Sequence, residues 1–109
     1  PADYHLLIEP DGTLTLDYSE KVNYSRPSID VTFSTAAEVF REKLACLLLS
    51  GANTDGADGL QRVQAMGGIT AVQDPGEAEV AFMPRHAMTV MQVDRVLKQK
   101  EMVQWVMSL

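Results

Sequence analysis

Positive charge is scarce in this chain: nine Lys and Arg face fifteen Asp and Glu, for a net charge of −6. An acidic chain with no basic stripe is a poor match for nucleic acid or an anionic bilayer surface. Cysteine occurs once, as Cys46, so no internal disulfide can form, and its place in an apolar run suits a reducing, cytoplasmic setting. With only two histidines, His5 and His86, no cluster has zinc-ligand spacing, and no cofactor is implied. Long apolar runs are missing too. The longest, residues 44–49, is far too short to span a bilayer, so no membrane insertion is expected. Neither Gly-x-Gly-x-x-Gly nor the Gly-Lys-Ser/Thr ending of a phosphate loop occurs. None of Ser19, Ser25, Ser28, Ser34, Ser50 and Ser108 lies in a Gly-x-Ser-x-Gly elbow. The chain opens on Pro1-Ala2-Asp3, without methionine or signal peptide, the pattern of a processed or truncated piece.

What is present reads as one small globular unit of 109 residues, 46% hydrophobic and 22% charged. Residues 5–9 and 13–17 flank Pro10-Asp11-Gly12, which predicts a β-hairpin. Ser28 is a good N-cap for a helix over 29–41 with Ile29, Phe33, Ala36, Ala37 and Phe40 on one face. Residues 43–50 read as a strand buried on both faces of a parallel sheet. A glycine-rich turn over 51–59 leads into a helix bearing Leu60, Val63 and Met66 that stops at Gly67-Gly68. Residues 69–72 predict another strand, and Pro84 suits a helix start. Residues 93–97 predict a short edge strand, and 101–109 a helix with Met102, Trp105, Val106 and Leu109 on one face. Six methionines at mostly helical spacing read as core filling. The alternation predicts an α/β fold: a mainly parallel, doubly wound sheet with flanking helices and an N-terminal β-hairpin.

Chemistry is best sought in residues 47–60, where a buried strand, a glycine-rich turn and a helix start follow one another. Sites in open α/β sheets are built at the carboxyl ends of strands. A calcium loop fails, because Gly51 and Arg62 would occupy two main ligand positions. Asp55 admits two readings. It can cap the helix that follows it, or it can orient a histidine in an acyl-transfer triad. His5 and His86 each read more simply as packing or surface residues.

Five segments in order carry a resemblance. They are Arg26-Pro27-Ser28-Ile29-Asp30-Val31-x-Phe33; Gly51-x-x-x-Asp55-Gly56-Ala57-x-Gly59-Leu60; Gly67-Gly68-x-Thr70-x-x-Gln73-Asp74; Met83-Pro84-Arg85-x-Ala87; and Val93-Asp94-x-Val96-Leu97. Together they resemble the catalytic domain of the bacterial chemotaxis protein-glutamate methylesterases, the CheB family, from the first residue to about Leu97. The resemblance implies hydrolysis of glutamate methyl esters, and in many members glutamine deamidation, on the cytoplasmic region of methylated chemoreceptors. It implies a Ser-His-Asp triad to which this chain supplies Asp55, with Gly51, Ala52, Asn53 and Gly56 as the active-site or oxyanion loop. The family's serine turn and Gln-His segment lie upstream of anything present, and His5 matches a later His-Leu segment, not the base. Residues 1–109 are therefore expected to be the C-terminal part of one catalytic domain, with the missing N-terminal part of that domain as a partner, and inactive alone. A truncated sheet is expected to leave the strand at 43–50 with an uncovered edge or face. The chain departs from the family pattern at Ala52-Asn53, usually Met-Gly, and at Phe82, usually Gly. Two rival readings are a non-catalytic interaction module on the same fold and a small-ligand domain that uses the loop at 51–59.

Overall fold

Residues 2–22 and 25–109 are described by the computed structural model of the chain. Near the amino terminus β1 (His5–Ile8) and β2 (Leu14–Asp17) pair antiparallel, with His5 opposite Asp17 and Ile8 opposite Leu14. The turn closes because Gly12 adopts φ +84° and the Asp11 carboxylate accepts from the Thr13 N–H at 3.0 Å. This hairpin lies against α1 (Ile29–Phe40), where the Thr35 hydroxyl accepts from the Ile8 N–H and the Thr32 hydroxyl donates to the Leu6 carbonyl. Ala36 and Ala37 of α1 are buried and Ile29 and Phe33 half-buried, as the helical spacing predicts. Phe40 departs from that expectation. It stands at the end of the helix, 41% exposed, where the chain turns through Arg41 at φ +50° into a 3-10 turn, Arg41–Lys43.

That turn shortens the predicted strand. The observed strand is β3 (Ala45–Leu48), and Leu49 and Ser50 lie beyond it, exposed. It is followed by α2 (Ala57–Ala65), β4 (Ile69–Gln73), α3 (Phe82–Val90), β5 (Arg95–Leu97) and α4 (Gln99–Met107). The three strands form one parallel sheet in the order β3-β4-β5, with Cys46 opposite Thr70 and Val72 opposite Val96. Strand side chains alternate between faces. Cys46, Leu48 and Val72 meet Ala37, Leu60, Val63, Met83 and Ala87 from α1, α2 and α3 on one side. Ala71 and Leu97 meet Trp105 of α4 on the other. The fold is thus α/β with helices on both faces of a parallel sheet and an N-terminal hairpin.

Two details correct the sequence reading. The strand at 43–50 is not buried on both faces: Cys46 and Leu48 are buried, whereas Ala45 and Leu47 are only half-buried, because α4 alone covers their side. The apolar stripe predicted over 101–109 does not all pack, and α4 ends at Met107, short of Leu109. Trp105 is buried and Met102 half-buried, but Val106 is 54% and Leu109 61% exposed. Burial also pushes the Cys46 thiol up to about 11, which leaves little reactive thiolate at neutral pH. Thr70, fully buried in β4, ties the sheet to the next connection. Its N–H and hydroxyl both reach Asp94 Oδ2, at 2.8 and 3.1 Å.

Candidate functional site

The loop after β3 is shaped by its own polar groups. Ser50 Oγ accepts from the Val80 N–H at 2.8 Å and donates to the Val80 carbonyl at 3.1 Å. Gly51 donates to the Val80 carbonyl and accepts from the Met83 N–H. Met83 lies so close that a Cβ on Gly51 would sit 2.0 Å from its sulfur. Asn53 then makes an Asx turn, its side-chain oxygen accepting from the Asp55 N–H at 2.9 Å. Its amide group donates to Ser25 Oγ at 3.2 Å. Gly56 follows at φ +102°, a conformation costly for any residue with a Cβ.

This path carries the Asp55 carboxylate away from its own helix. Asp55 is 3% exposed and accepts from the Ser28 hydroxyl at 2.7 Å, the Asp30 N–H at 3.0 Å and the Ile29 N–H. Those are the first groups of α1, where unsatisfied N–H donors and the helix dipole favour a negative charge. Asp30 returns the favour. Its Oδ1 accepts from the N–H groups of Gly56 at 2.9 Å and Gly59 at 2.7 Å, at the start of α2. The two helices therefore exchange caps across the chain.

The expected local cap is thereby corrected: Asp55 caps α1, not the helix that follows it. Ser28 is corrected too. It holds the N-cap position of α1 in an extended conformation, but its hydroxyl caps no helical N–H and donates to Asp55 instead. A carboxylate is the stronger acceptor for the helix donors, so it displaces the hydroxyl from that role. His5, fully buried, accepts the Ser28 N–H on Nδ1 at 3.1 Å. Its Nε2 donates to the Glu20 carbonyl at 2.8 Å. Both ring nitrogens are thus spent inside the fold. His86 stacks on Phe82 with ring centroids 5.9 Å apart at the start of α3.

Of the five residues singled out in the loop, Asp55 and Gly56 are buried, Gly51 is half-buried, and Ala52 and Asn53 are exposed at the tip. Sequence reasoning missed Ser28 and Asp30 as partners of Asp55. The available signal was Ser-x-Asp at a helix start beside a second Asp in a glycine loop. At Gly56 and Gly59 the loop offers a small ligand no phosphate cradle. A phosphate cradle needs free N–H donors and open space at glycines. Here Asp30 takes the donors of Gly56 and Gly59, and the spaces beside Gly51, Gly56 and Gly59 are filled by Met83, Leu48 and Phe33.

Asp30 also gives a pH test. Burial pushes its carboxyl above the ordinary 3.8, the Gly59 hydrogen bond opposes this, and the nearby Asp55 charge adds to the rise. The folded state then binds the proton more tightly than the unfolded state, so this group's contribution to stability falls as pH rises above that value. Asp30→Asn keeps an oxygen for both N–H groups but removes the charge. The stability of the wild type relative to Asp30→Asn should therefore be greater near pH 4 than near pH 7, measured by urea unfolding. Asp30→Ala, which removes both caps, should cost about 2–4 kcal/mol at neutral pH. A pH-independent difference for the first variant would contradict the assignment.

Among the described residues no helix is long and apolar enough to cross a membrane. Comparison with known proteins gives one consistent result. The family model for CheB methylesterase matches residues 1–106. A Leptospira interrogans protein is 54% identical over 97 residues, covering 89% of this chain and 50% of its own length. Its name gives it as a candidate protein-glutamate methylesterase/protein-glutamine glutaminase. The protein-glutamate methylesterase FrzG of Myxococcus xanthus is 34% identical over 110 residues, covering 97% of this chain and 33% of that protein. The crystal structure of the Thermotoga maritima CheB methylesterase catalytic domain superposes with a TM-score of 0.94 at 30% identity. It matches 99% of this chain and 59% of that one. The chain spans half or less of the length of these curated relatives. It belongs to the CheB methylesterase family.

Proposed function

We propose that residues 1–109 are the C-terminal part of a single methylesterase catalytic domain, and that Asp55 is the aspartate of its Ser-His-Asp triad. The observation that carries this reading is Asp55 itself: a carboxylate buried beyond the C-terminal end of a parallel strand and held by the Ser28 hydroxyl and the first N–H groups of α1. The serine and histidine belong to the upstream part of the domain. Two facts support that division. The relatives and the Thermotoga structure extend well beyond the match. The outer edge of β3 is unpaired among the described residues, and a groove lined by Phe40, Glu42, Lys43, Leu44, Ala45, Ile69 and Leu109 opens where β3 and β4 begin.

In this mechanism the serine hydroxyl attacks the carbonyl of a glutamate methyl ester while the histidine takes its proton. Asp55 holds the imidazole in the required tautomer and balances the charge that develops on it. The tetrahedral adduct collapses, the histidine returns the proton, and methanol leaves. Water then hydrolyses the acyl-serine by the same steps. A glutamine side chain would release ammonia by the same route. Gly51, Ala52, Asn53 and Gly56 form the loop beside the reacting centre, with the Ala52 N–H as the oxyanion donor. The substrate is the methylated cytoplasmic region of a chemoreceptor, and the reaction is cytoplasmic. The acidic chain is unsuited to nucleic acid.

Methanol release from methyl-esterified receptor tests this. The protein that joins this chain to the upstream serine- and histidine-bearing segment should release it, and the 109-residue chain alone should not. Release by the isolated chain, or none by the joined protein, would refute the division of labour.

A further inference from the structure

A triad aspartate must be held at a fixed angle to its histidine, so the groups that hold it belong to the reaction's geometry. Around Asp55 those groups are of two kinds. The N–H donors of Ile29 and Asp30 are backbone, set by α1. The Ser28 hydroxyl is a side chain, 1% exposed, donating to Asp55 Oδ1 at 2.7 Å. A helix start needs no such arrangement: an N-cap serine ordinarily turns its oxygen toward its own helix. Here the hydroxyl is directed across the fold.

Its direction is set from behind. The Ser28 N–H is held by His5 Nδ1, and His5 Nε2 is held by the Glu20 carbonyl. A buried line of hydrogen bonds therefore runs from Glu20 through His5 and Ser28 to Asp55. All three of its side-chain members, His5, Ser28 and Asp55, are 3% exposed or less. Because an unpaired buried group is costly, such a line holds one arrangement.

Resting on the reading of Asp55 as the triad aspartate, we infer that Ser28 is a positioning residue that orients and polarises the Asp55 carboxylate, with His5 fixing Ser28 from behind. Removing the hydroxyl leaves Asp55 with one donor fewer, so its charge is less dispersed. The carboxylate then pairs more strongly with a neighbouring imidazolium. That pairing moves the acidic limb of the rate profile to higher pH.

The test uses the protein that joins this chain to its serine- and histidine-bearing segment. Ser28→Ala should lower kcat about tenfold and leave KM within about twofold. The acidic limb of kcat/KM should rise by roughly half a pH unit. Ser28→Thr should restore both, since it returns the hydroxyl. Ser28 lines an open apolar pocket of about 390 Å³ together with Tyr4, Leu6, Pro27 and Phe33 among others. In an Asp55→Asn background Ser28→Ala should cost little further rate, because the two act as a unit. An inactive Asp55→Asn with an unshifted limb in Ser28→Ala overturns the role of Ser28 and spares that of Asp55. Wild-type rate in Asp55→Asn overturns the underlying reading. If Ser28→Ala fails to fold, Ser28→Thr decides: a wild-type limb and rate support the inference, and a displaced limb refutes it.

Discussion

Asp55→Asn should reduce methyl-ester hydrolysis by the joined protein by a factor on the order of 10⁴, the size found when the buried aspartate of a serine-protease triad is so replaced. The reason is geometric as much as electrostatic. Among the described residues Asp55 accepts from three donors, Oδ1 from the Ser28 hydroxyl and the Asp30 N–H, Oδ2 from the Ile29 N–H. An asparagine has one acceptor oxygen and an amide group that only donates. One side of the substituted group must therefore face a donor with a donor, and the histidine loses the charge that would stabilise its protonated form. The same clash should cost the fold about 1–3 kcal/mol. Steady-state rates of methanol release and urea unfolding of one preparation separate the two losses. A rate within about tenfold of wild type would remove Asp55 from the triad.

Gly56→Val should cost the fold about 3–5 kcal/mol. Two costs add at this position. The backbone stands at φ +102°, which a β-branched residue adopts only under strain. A Cβ would also sit 2.5 Å from Leu48 Cδ1, at the end of a fully buried side chain. Relief by backbone rotation would pull the Gly56 N–H from Asp30 Oδ1, undoing the cap of α2. Gly56→Ala should fall between the wild type and the valine variant, and Gly12→Ala provides a control. Gly12 has a similar φ of +84° but nothing within 4 Å of its Cβ position. Its substitution should cost only the backbone strain, about 1–2 kcal/mol. Equal losses at the two glycines would show that the Leu48 contact is unimportant.

Local patterns were legible in the sequence where a short stretch determines them. The Asp11-Gly12 turn, the Ala36-Ala37 face of α1 and the Gly67 stop of α2 all follow from neighbours in the chain, and all three are found. The stripe in α4 was misjudged because helical spacing says which residues share a face, not whether a neighbour covers it. Val106 is 54% exposed, and Leu109 lies past the end of α4 at Met107. The strand at 43–50 was overextended for the same reason: an apolar run does not reveal that Arg41–Lys43 turns and that Leu49 leaves the sheet. At the candidate site, glycine spacing and order of motifs make the loop after β3 and the place of Asp55 in it legible. Its partners are not legible, because Ser28 and Asp30 stand 27 and 25 residues away from Asp55, and no local rule joins a carboxylate to a distant helix start.

The exchange of caps has an evolutionary consequence. Since Asp55 completes α1 while Asp30 completes α2, selection for a stable protein alone is enough to keep both carboxylates. A relative without ester hydrolysis would still be penalised for losing the carboxylate at this position. Drift should therefore erase the nucleophile and base first, and the aspartate last. Among relatives of this chain, an intact Gly51-to-Gly59 segment is a mark of shared architecture, and living enzymes are to be told from retired ones by their serine and histidine.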